Sequence, residues 1–370
     1  MTNEALTPLR VGFDMSAAVV GRPGVQRYTA DVALALAGLP SIELTRLGVK
    51  PSDRRAHARR SRARERLRAH TPGRLGREAA AADVDVLHYP AALTLPHARM
   101  PLVLTVHDVL PWRRPELFRA TEGARRRAVV SHVASAASRV LVGSEHTRGE
   151  VVELLGLDPR RVMVAPLGVD RRFRPIEPDP VALAHRFGIP PDPFVLWVGT
   201  LEPRKNLLVL LRAFGLVRRR APECSLVIVG NVPGDNRDVE REMDLLGAHI
   251  IRPGIVSDDE LVQLYSSTTC FVFPSLYEGF GLPPLEAMAC GAPVVCSNRA
   301  SLPEVVGDAG ILVDSTDPDA LADAIEEVVL SPSTANDMRD RGLARARGFT
   351  WKRCAEHAVD AYRAALEDPR

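Results

Sequence analysis

Apolar runs of strand length alternate with amphipathic segments of helix length along the whole chain, and this alternation predicts parallel sheets covered by helices on both faces. In the first half the strand-like runs are Leu9–Asp14, Ile42–Gly48, Val84–His88, Leu102–Val106, Arg139–Gly143 and Val162–Ala165, with helices over Val25–Ala37 and Glu116–Ala137. The proline-rich stretch Pro166–Pro193 has little periodicity beyond a short helix at Val181–Phe187, so it reads as a linker. A second set of strands follows at Phe194–Val198, Ser225–Val229, His249–Ile251, Cys270–Phe273, Pro293–Cys296 and Ile311–Val313. Ser257-Asp-Asp-Glu260 has the form of a capping box ahead of the apolar turn Leu261–Ser266. The tail Thr350–Leu366 reads as a helix that packs back on the first domain. The fold class is therefore α/β: two Rossmann-like, doubly wound parallel-sheet domains. Such sheets bind ligands outside the carboxyl ends of their strands, so the site is expected in the cleft where the domains face each other.

Composition excludes several classes. A length of 370 residues suits two domains, and 46 % hydrophobic with 5 % aromatic content is ordinary for a protein with cores. Disorder is excluded. No apolar run reaches the roughly 18 residues of a membrane span, and Met1–Arg10 lacks the apolar core of a secretory signal, so a cytoplasmic location is expected. Cys224, Cys270, Cys290, Cys296 and Cys354 contain no C-x-x-C pair and lie mostly in apolar runs, as reduced core residues do.

Charge is balanced overall but not along the chain: residues 1–172 hold 28 basic and 17 acidic side chains, the remainder 20 and 29. Ten arginines fall within Arg54–Arg77. That segment is either a solvated surface or one that meets an anionic membrane face or a phosphorylated acceptor. Nucleic acid is not an expected partner.

Two motifs carry chemistry. Glu278-Gly-Phe-Gly-Leu-Pro-Pro-Leu-Glu286 follows the strand Cys270–Phe273 and places two carboxylates eight residues apart, one in a glycine turn and one inside a helix that Pro283 or Pro284 opens. Gly199-Thr-Leu-Glu-Pro-Arg204-Lys205-Asn206 places two cations where another strand ends. Only three lysines occur against 45 arginines, which marks Lys205 as a place where a compact ammonium is wanted. A sugar diphosphate presents an anion flanked by vicinal hydroxyls. Arginine grips phosphate oxygens in a fork, lysine adds a point charge, and N–H groups at a helix start favour the anion. Each carboxylate accepts from two hydroxyls at once, and Glu286 is tilted back toward the glycine turn. Together the motifs read as a site for a nucleotide-diphosphate sugar.

These residues resemble the retaining GT-B glycosyltransferases of family 4, and within them the mannosyltransferase-like branch with G-T-L-E-P-R-K-N and E-x7-E motifs. The resemblance covers essentially the whole chain and is strongest over Val195–Asp314, including Phe273-Pro-Ser-Leu-Tyr-Glu-Gly-Phe-Gly-Leu-Pro-Pro-Leu-Glu-Ala-Met-Ala-Cys-Gly and Leu302-Pro-Glu-Val-Val-Gly-Asp-Ala-Gly. Pro166-Leu-Gly-Val-Asp170 looks like the end of the family's first domain. The resemblance implies an acceptor-binding domain over 1–172, a nucleotide-sugar domain over 173–349 and a C-terminal helix over 350–370 that crosses back.

It further implies that Arg204 and Lys205 hold the donor diphosphate, Glu278 contacts the hexose and Glu286 the ribose. Gly279, Phe280, Gly281 and Leu282 then touch sugar and phosphate, and the loop with Ile255 and Val256 meets the base. Gly24 approaches the phosphates and His107 lies beside the reacting sugar. Thr200 stands where many family members carry an arginine, a role assigned here to Arg204, and Asn206 closes the same donor loop. Asp108 and Ser144 fall on the acceptor side, Ser144 with an equal claim as a helix cap.

The implied reaction moves a hexose, best matched by mannose from GDP-mannose, to a hydroxyl of a glycan, a lipid-linked saccharide or a small molecule, with retention of configuration. Charge growing on the leaving phosphate is what the two cations stabilise, and the phosphate itself takes the acceptor's proton, with Glu278 or Asp108 as the other base candidates. No cofactor is implied. Asp83-Val-Asp85 and Asp317-Pro-Asp319 have structural explanations, and no His/Cys cluster has metal-ligand spacing. UDP- and dTDP-hexose donors remain open, as do a sugar-nucleotide 2-epimerase and a non-catalytic nucleotide-sugar-binding protein. A nicotinamide enzyme is disfavoured because no G-x-G-x-x-G follows the first strand.

Overall fold

A computed structural model describes residues 7–48, 74–93, 100–231 and 237–368. Twelve strands form two six-stranded sheets among these residues, and every described strand pair is parallel. The chain divides into two compact units, one of residues 1–168 with 350–370 and one of residues 169–349.

Sheet one holds β1 (Leu9–Asp14), β2 (Ile42–Leu47), β3 (Val86–Tyr89), β4 (Leu102–Val106), β5 (Arg139–Val142) and β6 (Val162–Val164), in the order β2-β1-β3-β4-β5-β6. Sheet two holds β7 (Phe194–Val198), β8 (Ser225–Val229), β9 (Ile250–Gly254), β10 (Cys270–Phe273), β11 (Val294–Ser297) and β12 (Ile311–Val313), in the order β12-β11-β10-β7-β8-β9. Strands such as β4, β8 and β10 are buried along their whole length, which is why each reads as an unbroken apolar run rather than an alternating one.

Helix ends follow local chemistry. The capping box is formed in full: Ser257 Oγ accepts the Glu260 N–H at 3.2 Å while the Glu260 carboxylate accepts the Ser257 N–H at 2.8 Å, opening the helix Asp258–Ser267. One local expectation is corrected. The segment Glu116–Ala137 is not one helix, because Pro115–Leu117 forms a 3₁₀ turn and Phe118 turns extended before the helix Ala120–Ala136 begins. The short helix Ser16–Val20 stands between β1 and Gly21.

The C-terminal helix Trp351–Glu367 belongs to the first unit and buries Cys354, Ala355, Ala358, Val359, Ala361, Tyr362 and Ala365, a face of mostly small residues that lets it lie close on sheet one. Gly168 makes its return possible, since a Cβ there would stand 2.1 Å from the Trp351 nitrogen. The helix is pinned by a fully buried polar chain. Tyr362 Oη lies 2.6 Å from His88 Nδ1, His88 Nε2 lies 2.8 Å from Thr105 Oγ1, and Thr105 Oγ1 lies 2.9 Å from Tyr28 Oη. Each group is satisfied, so the chain rigidifies the core instead of destabilising it.

Among the described residues no helix is long and apolar enough to cross a membrane. Of the arginine-rich segment Arg54–Arg77, only residues 74–77 fall within the described residues, in the helix Arg74–Ala81; the surface expected of the rest lies outside them.

Candidate active site

In sheet two the chain runs from β7 outward through β8 to β9 and then returns to place β10 on the other side of β7. This reversal is the topological switch point, where loops leaving adjacent parallel strands diverge and leave room for a ligand. The loop after β7 carries Thr200–Asn206 and the loop after β10 carries Pro274–Gly281, so both charged motifs emerge from one end of one sheet. They are tied there by backbone, the Leu276 N–H donating to the Arg204 carbonyl at 2.7 Å.

Three of the sequence-predicted residues converge on one oxygen. Glu278 Oε1 lies 2.7 Å from Arg204 Nη1 and 2.7 Å from Lys205 Nζ, and it accepts the Ser275 hydroxyl at 2.8 Å. Arg204 donates from Nε to Glu202 at 2.8 Å and from Nη1 to the Tyr277 carbonyl at 3.2 Å. Lys205 Nζ also stands 4.5 Å from the centre of the Phe273 ring, a cation over an aromatic face.

These charges are held in a low-dielectric setting. Burial pushes the Glu278 carboxyl up, but Lys205 and then Arg204 outweigh it and keep the group below the usual carboxylate range. Burial pulls the Arg204 guanidinium down, and Glu278 with Glu202 more than restores it. For Lys205 burial wins over Glu278, so its ammonium is less basic than usual. Two cations, Arg204 and Lys205, are balanced here by two carboxylates, Glu278 and Glu202, so an anion enters by taking over contacts that these carboxylates now make.

The glycine turn follows. Gly281 has φ +125°, and a Cβ there would meet Leu302 Cδ2 at 2.8 Å, so both backbone and space require glycine. Ser301 Oγ lies 2.8 Å from the Glu278 carbonyl and 2.6 Å from that of Phe280, fixing the turn from a neighbouring loop. Leu282 opens the helix Leu282–Ala289 with Pro283 in its first turn, and Glu286 is buried one turn on. Gly279 sits half-buried in the turn. Asn206 takes φ +56°, which asparagine tolerates, and its Nδ2 donates to the Ser315 carbonyl at 2.5 Å.

Thr200 is exposed beside this cluster. Ile255, 81 % exposed, and half-buried Val256 follow β9, two strands from β7 and so roughly 10 Å from it; they are not part of the charged cluster.

The first unit places its predicted residues after β1, β4 and β5. His107 follows β4. Its Nε2 donates to the Pro90 carbonyl at 2.8 Å, and its ring meets the edge of Tyr28 at 4.7 Å between centres. Burial lowers its basicity against the opposing pull of Pro90 and Asp108. The imidazole is therefore neutral, its Nε2 hydrogen is committed to Pro90, and Nδ1 is left as an acceptor. Asp108 Oδ1 accepts the Leu110 N–H at 3.0 Å. His107 and Asp108 line a cavity of 420 Å³, which Gly24 and Ser144 do not. Gly24 is exposed in the first turn of the helix Pro23–Ala37, with no atom within 4 Å of where a Cβ would stand. Ser144 is buried and caps the helix Glu145–Leu155, its Oγ accepting the Thr147 N–H at 3.1 Å.

Sequence reasoning missed Ser275, Glu202, Ser301, Pro90 and Tyr28. Ser275 was signalled by its place three residues before Glu278 in the same motif, and Glu202 by its place two before Arg204. The others act across loops or elements and leave no local mark.

The chain matches the family described as Glycosyl transferases group 1 over residues 185–345 and the one described as Glycosyltransferase Family 4 over residues 23–173. It is 33 % identical over 283 residues to the O-antigen chain mannosyltransferase B of Escherichia coli, covering 75 % of this chain and 74 % of that protein. It is 32 % identical over 284 residues to the D-inositol 3-phosphate glycosyltransferase of Paenarthrobacter aurescens (strain TC1), covering 72 % and 68 % of the two chains. Among solved structures, the sucrose-phosphate synthase of Thermosynechococcus elongatus superposes with a TM-score of 0.71 at 21 % identity, over 98 % of this chain and 99 % of that one, a likeness of fold.

Proposed function

The chain belongs to the family 4 glycosyltransferases, with the GT-B fold, and from that premise we propose that it is a retaining hexosyltransferase that moves mannose from GDP-mannose to a hydroxyl acceptor without a metal. The observation that carries the proposal is the convergence of Arg204 and Lys205 on Glu278 Oε1, each at 2.7 Å, at the switch point of sheet two.

In this reaction the donor diphosphate replaces part of what Glu278 supplies to the two cations, which are in place before the ligand arrives and cost no reorganisation when charge develops. The bond from the anomeric carbon to the diphosphate breaks and its electron pair stays on the diphosphate oxygen. The acceptor oxygen bonds to the anomeric carbon from the same side, and its proton passes to that diphosphate oxygen. Negative charge grows on the phosphate as the bond breaks, so Arg204 and Lys205 bind the transition state more strongly than the donor.

Glu278 accepts from hexose hydroxyls and Glu286 from the ribose diol. The backbone of Gly279–Leu282 lies against sugar and phosphate, with Thr200 and Asn206 completing the donor loop and Ile255 and Val256 on the base. The first unit contributes Gly24 to the phosphates and His107 Nδ1 as acceptor for a hexose hydroxyl, with Asp108 and Ser144 on the acceptor side.

The resemblance to O-antigen chain mannosyltransferase B supports mannose. A second reading, a different donor with a phosphorylated polyol acceptor, is favoured by the D-inositol 3-phosphate glycosyltransferase relative. The test is incubation of the full chain with GDP-mannose, UDP-glucose and dTDP-glucose without added acceptor, following nucleoside diphosphate release and the released sugar by NMR. Slow release from GDP-mannose with the α-anomer formed first is expected. An inverted anomer would exclude retention, recovery of an epimerised donor would make the chain an epimerase, and binding without turnover of any donor would make it a binding protein.

A further inference from the structure

The 420 Å³ cavity of the first unit lies where sheet one reverses direction: β1 is flanked by β2 and β3, and the cavity is walled by the segments after β1, β3 and β4 together with the helix Ala120–Ala136. Its size suits a small-molecule group rather than a water cluster. The inner wall is apolar, formed by side chains such as Val25, Leu110, Trp112, Val129 and Val130.

The charges on it are unevenly committed. Arg126 pairs with Glu122 at 2.7 Å and lies 5.2 Å over the Phe118 ring, so both members of that pair are occupied. Asp108 spends Oδ1 on the Leu110 N–H. Arg22 and Arg125, by contrast, line the same cavity while their side chains make no hydrogen bond or ion pair among the described residues. The result is an apolar recess with two uncommitted guanidinium groups at it.

A free, wholly polar saccharide does not fit this wall, because its hydroxyls would be buried without partners. A neutral lipid fills the recess but leaves both arginines without an anion. Both demands are met by one kind of molecule. We infer that the cavity binds the acceptor, and that the acceptor is an amphiphilic phosphate: an apolar chain joined through phosphate or diphosphate to the group whose hydroxyl is glycosylated. The chain occupies the recess and the phosphate oxygens take the forks of Arg22 and Arg125. The inference rests on the reading of the protein as a glycosyltransferase.

The test uses the full chain and thermal-shift titration with farnesyl phosphate below its aggregation threshold, set against farnesol, inorganic phosphate and mannose 1-phosphate, with GDP and UDP titrated in parallel. Farnesyl phosphate is expected to bind at least about 10-fold more tightly than any of the three, since each buried methylene is worth roughly a factor of 4 and each charge-assisted arginine contact about 10-fold. Arg125→Ala, at an exposed position that does not threaten the fold, should weaken farnesyl phosphate by about 10-fold and leave farnesol unchanged. Val129→Trp should abolish farnesyl phosphate binding by filling the recess, and a ligand-free melting profile matching that of the native protein reports that the variant is folded.

Equal binding of farnesol would remove the phosphate from the proposal, and equal binding of mannose 1-phosphate would remove the apolar chain. Unchanged affinity in Val129→Trp would place the ligand elsewhere. Vesicles of phosphatidylglycerol that bind the protein when monomeric farnesyl phosphate does not would make this a membrane-facing surface and overturn the inference. Loss of the GDP and UDP shifts in the native protein would instead defeat the glycosyltransferase reading itself, whatever the cavity binds.

Discussion

Replacing Glu278 by Gln keeps the side chain's shape and removes one charge from a three-way contact. In the native protein its Oε1 stands 2.7 Å from Arg204 Nη1, 2.7 Å from Lys205 Nζ and 2.8 Å from Ser275 Oγ. Removing one partner from a buried ion pair costs about 3–5 kcal/mol. The glutamine carbonyl still accepts a hydrogen bond and Glu202 still pairs with Arg204 at 2.8 Å, so the loss falls at the low end, about 3 kcal/mol. In a unit of this size about 1 kcal/mol moves the midpoint by roughly 2–4 °C, which gives a fall of roughly 6–12 °C. A nucleoside diphosphate supplies the missing negative charge, so GDP or UDP should bind Glu278→Gln more tightly than the native protein, by about 10-fold or more, or about 1.4 kcal/mol. Transfer falls by about 10²-fold or more in the same variant because the hexose loses its charged acceptor. Differential scanning calorimetry with and without GDP, together with initial rates, reads all three quantities. An unchanged midpoint with unchanged GDP affinity would show that Glu278 does not neutralise these cations, and the argument for the site would fail.

Lys205→Met should lower transfer about 10²-fold or more, while Arg204 still neutralises Glu278 and holds the stability cost at or below that of Glu278→Gln, about 3 kcal/mol. A fall in melting temperature larger than that of Glu278→Gln would make Lys205 a structural strut. His88 gives a pH test, because burial and the neighbouring His107 push its pKa from 6.5 down to about 3. The folded protein therefore binds fewer protons than the unfolded chain between those values. The contribution is full above pH 6.5 and is lost as pH falls toward 3, at about 1.4 kcal/mol per pH unit. His88→Gln should flatten urea-derived stability over pH 6.5 to 4.5, and an unaltered slope would show that another group titrates there. Gly281→Ala forces an L-residue to φ +125° with its Cβ 2.8 Å from Leu302, at a cost of about 1–3 kcal/mol. A urea midpoint unchanged from the native protein would mean the turn relaxes freely.

The strands were legible because a parallel strand covered on both faces must be apolar throughout, as Phe194–Val198 and Cys270–Phe273 are, and a run of that kind has few other uses. The break before Ala120 was not, since Phe118 turns extended without a proline or glycine to announce it. Of the candidate site, the types of residue were legible and their meeting was not. Arg204 and Glu278 lie 74 residues apart with β8 and β9 between them, and only the reversal that puts β10 beside β7 brings their loops together.

The supporting residues mark the same limit more sharply. Ser301 acts through its hydroxyl on the carbonyls of Glu278 and Phe280, and Pro90 acts through its carbonyl on His107; a backbone acceptor has no residue type to recognise. His88 and Tyr362, at 2.6 Å, are 274 positions apart and look like ordinary core residues until the last helix returns to sheet one. Side chains that bring charge to the cluster can thus be named from chemistry alone. Those that set where the charge sits are decided by topology, and their substitution tests the topology as directly as it tests the reaction.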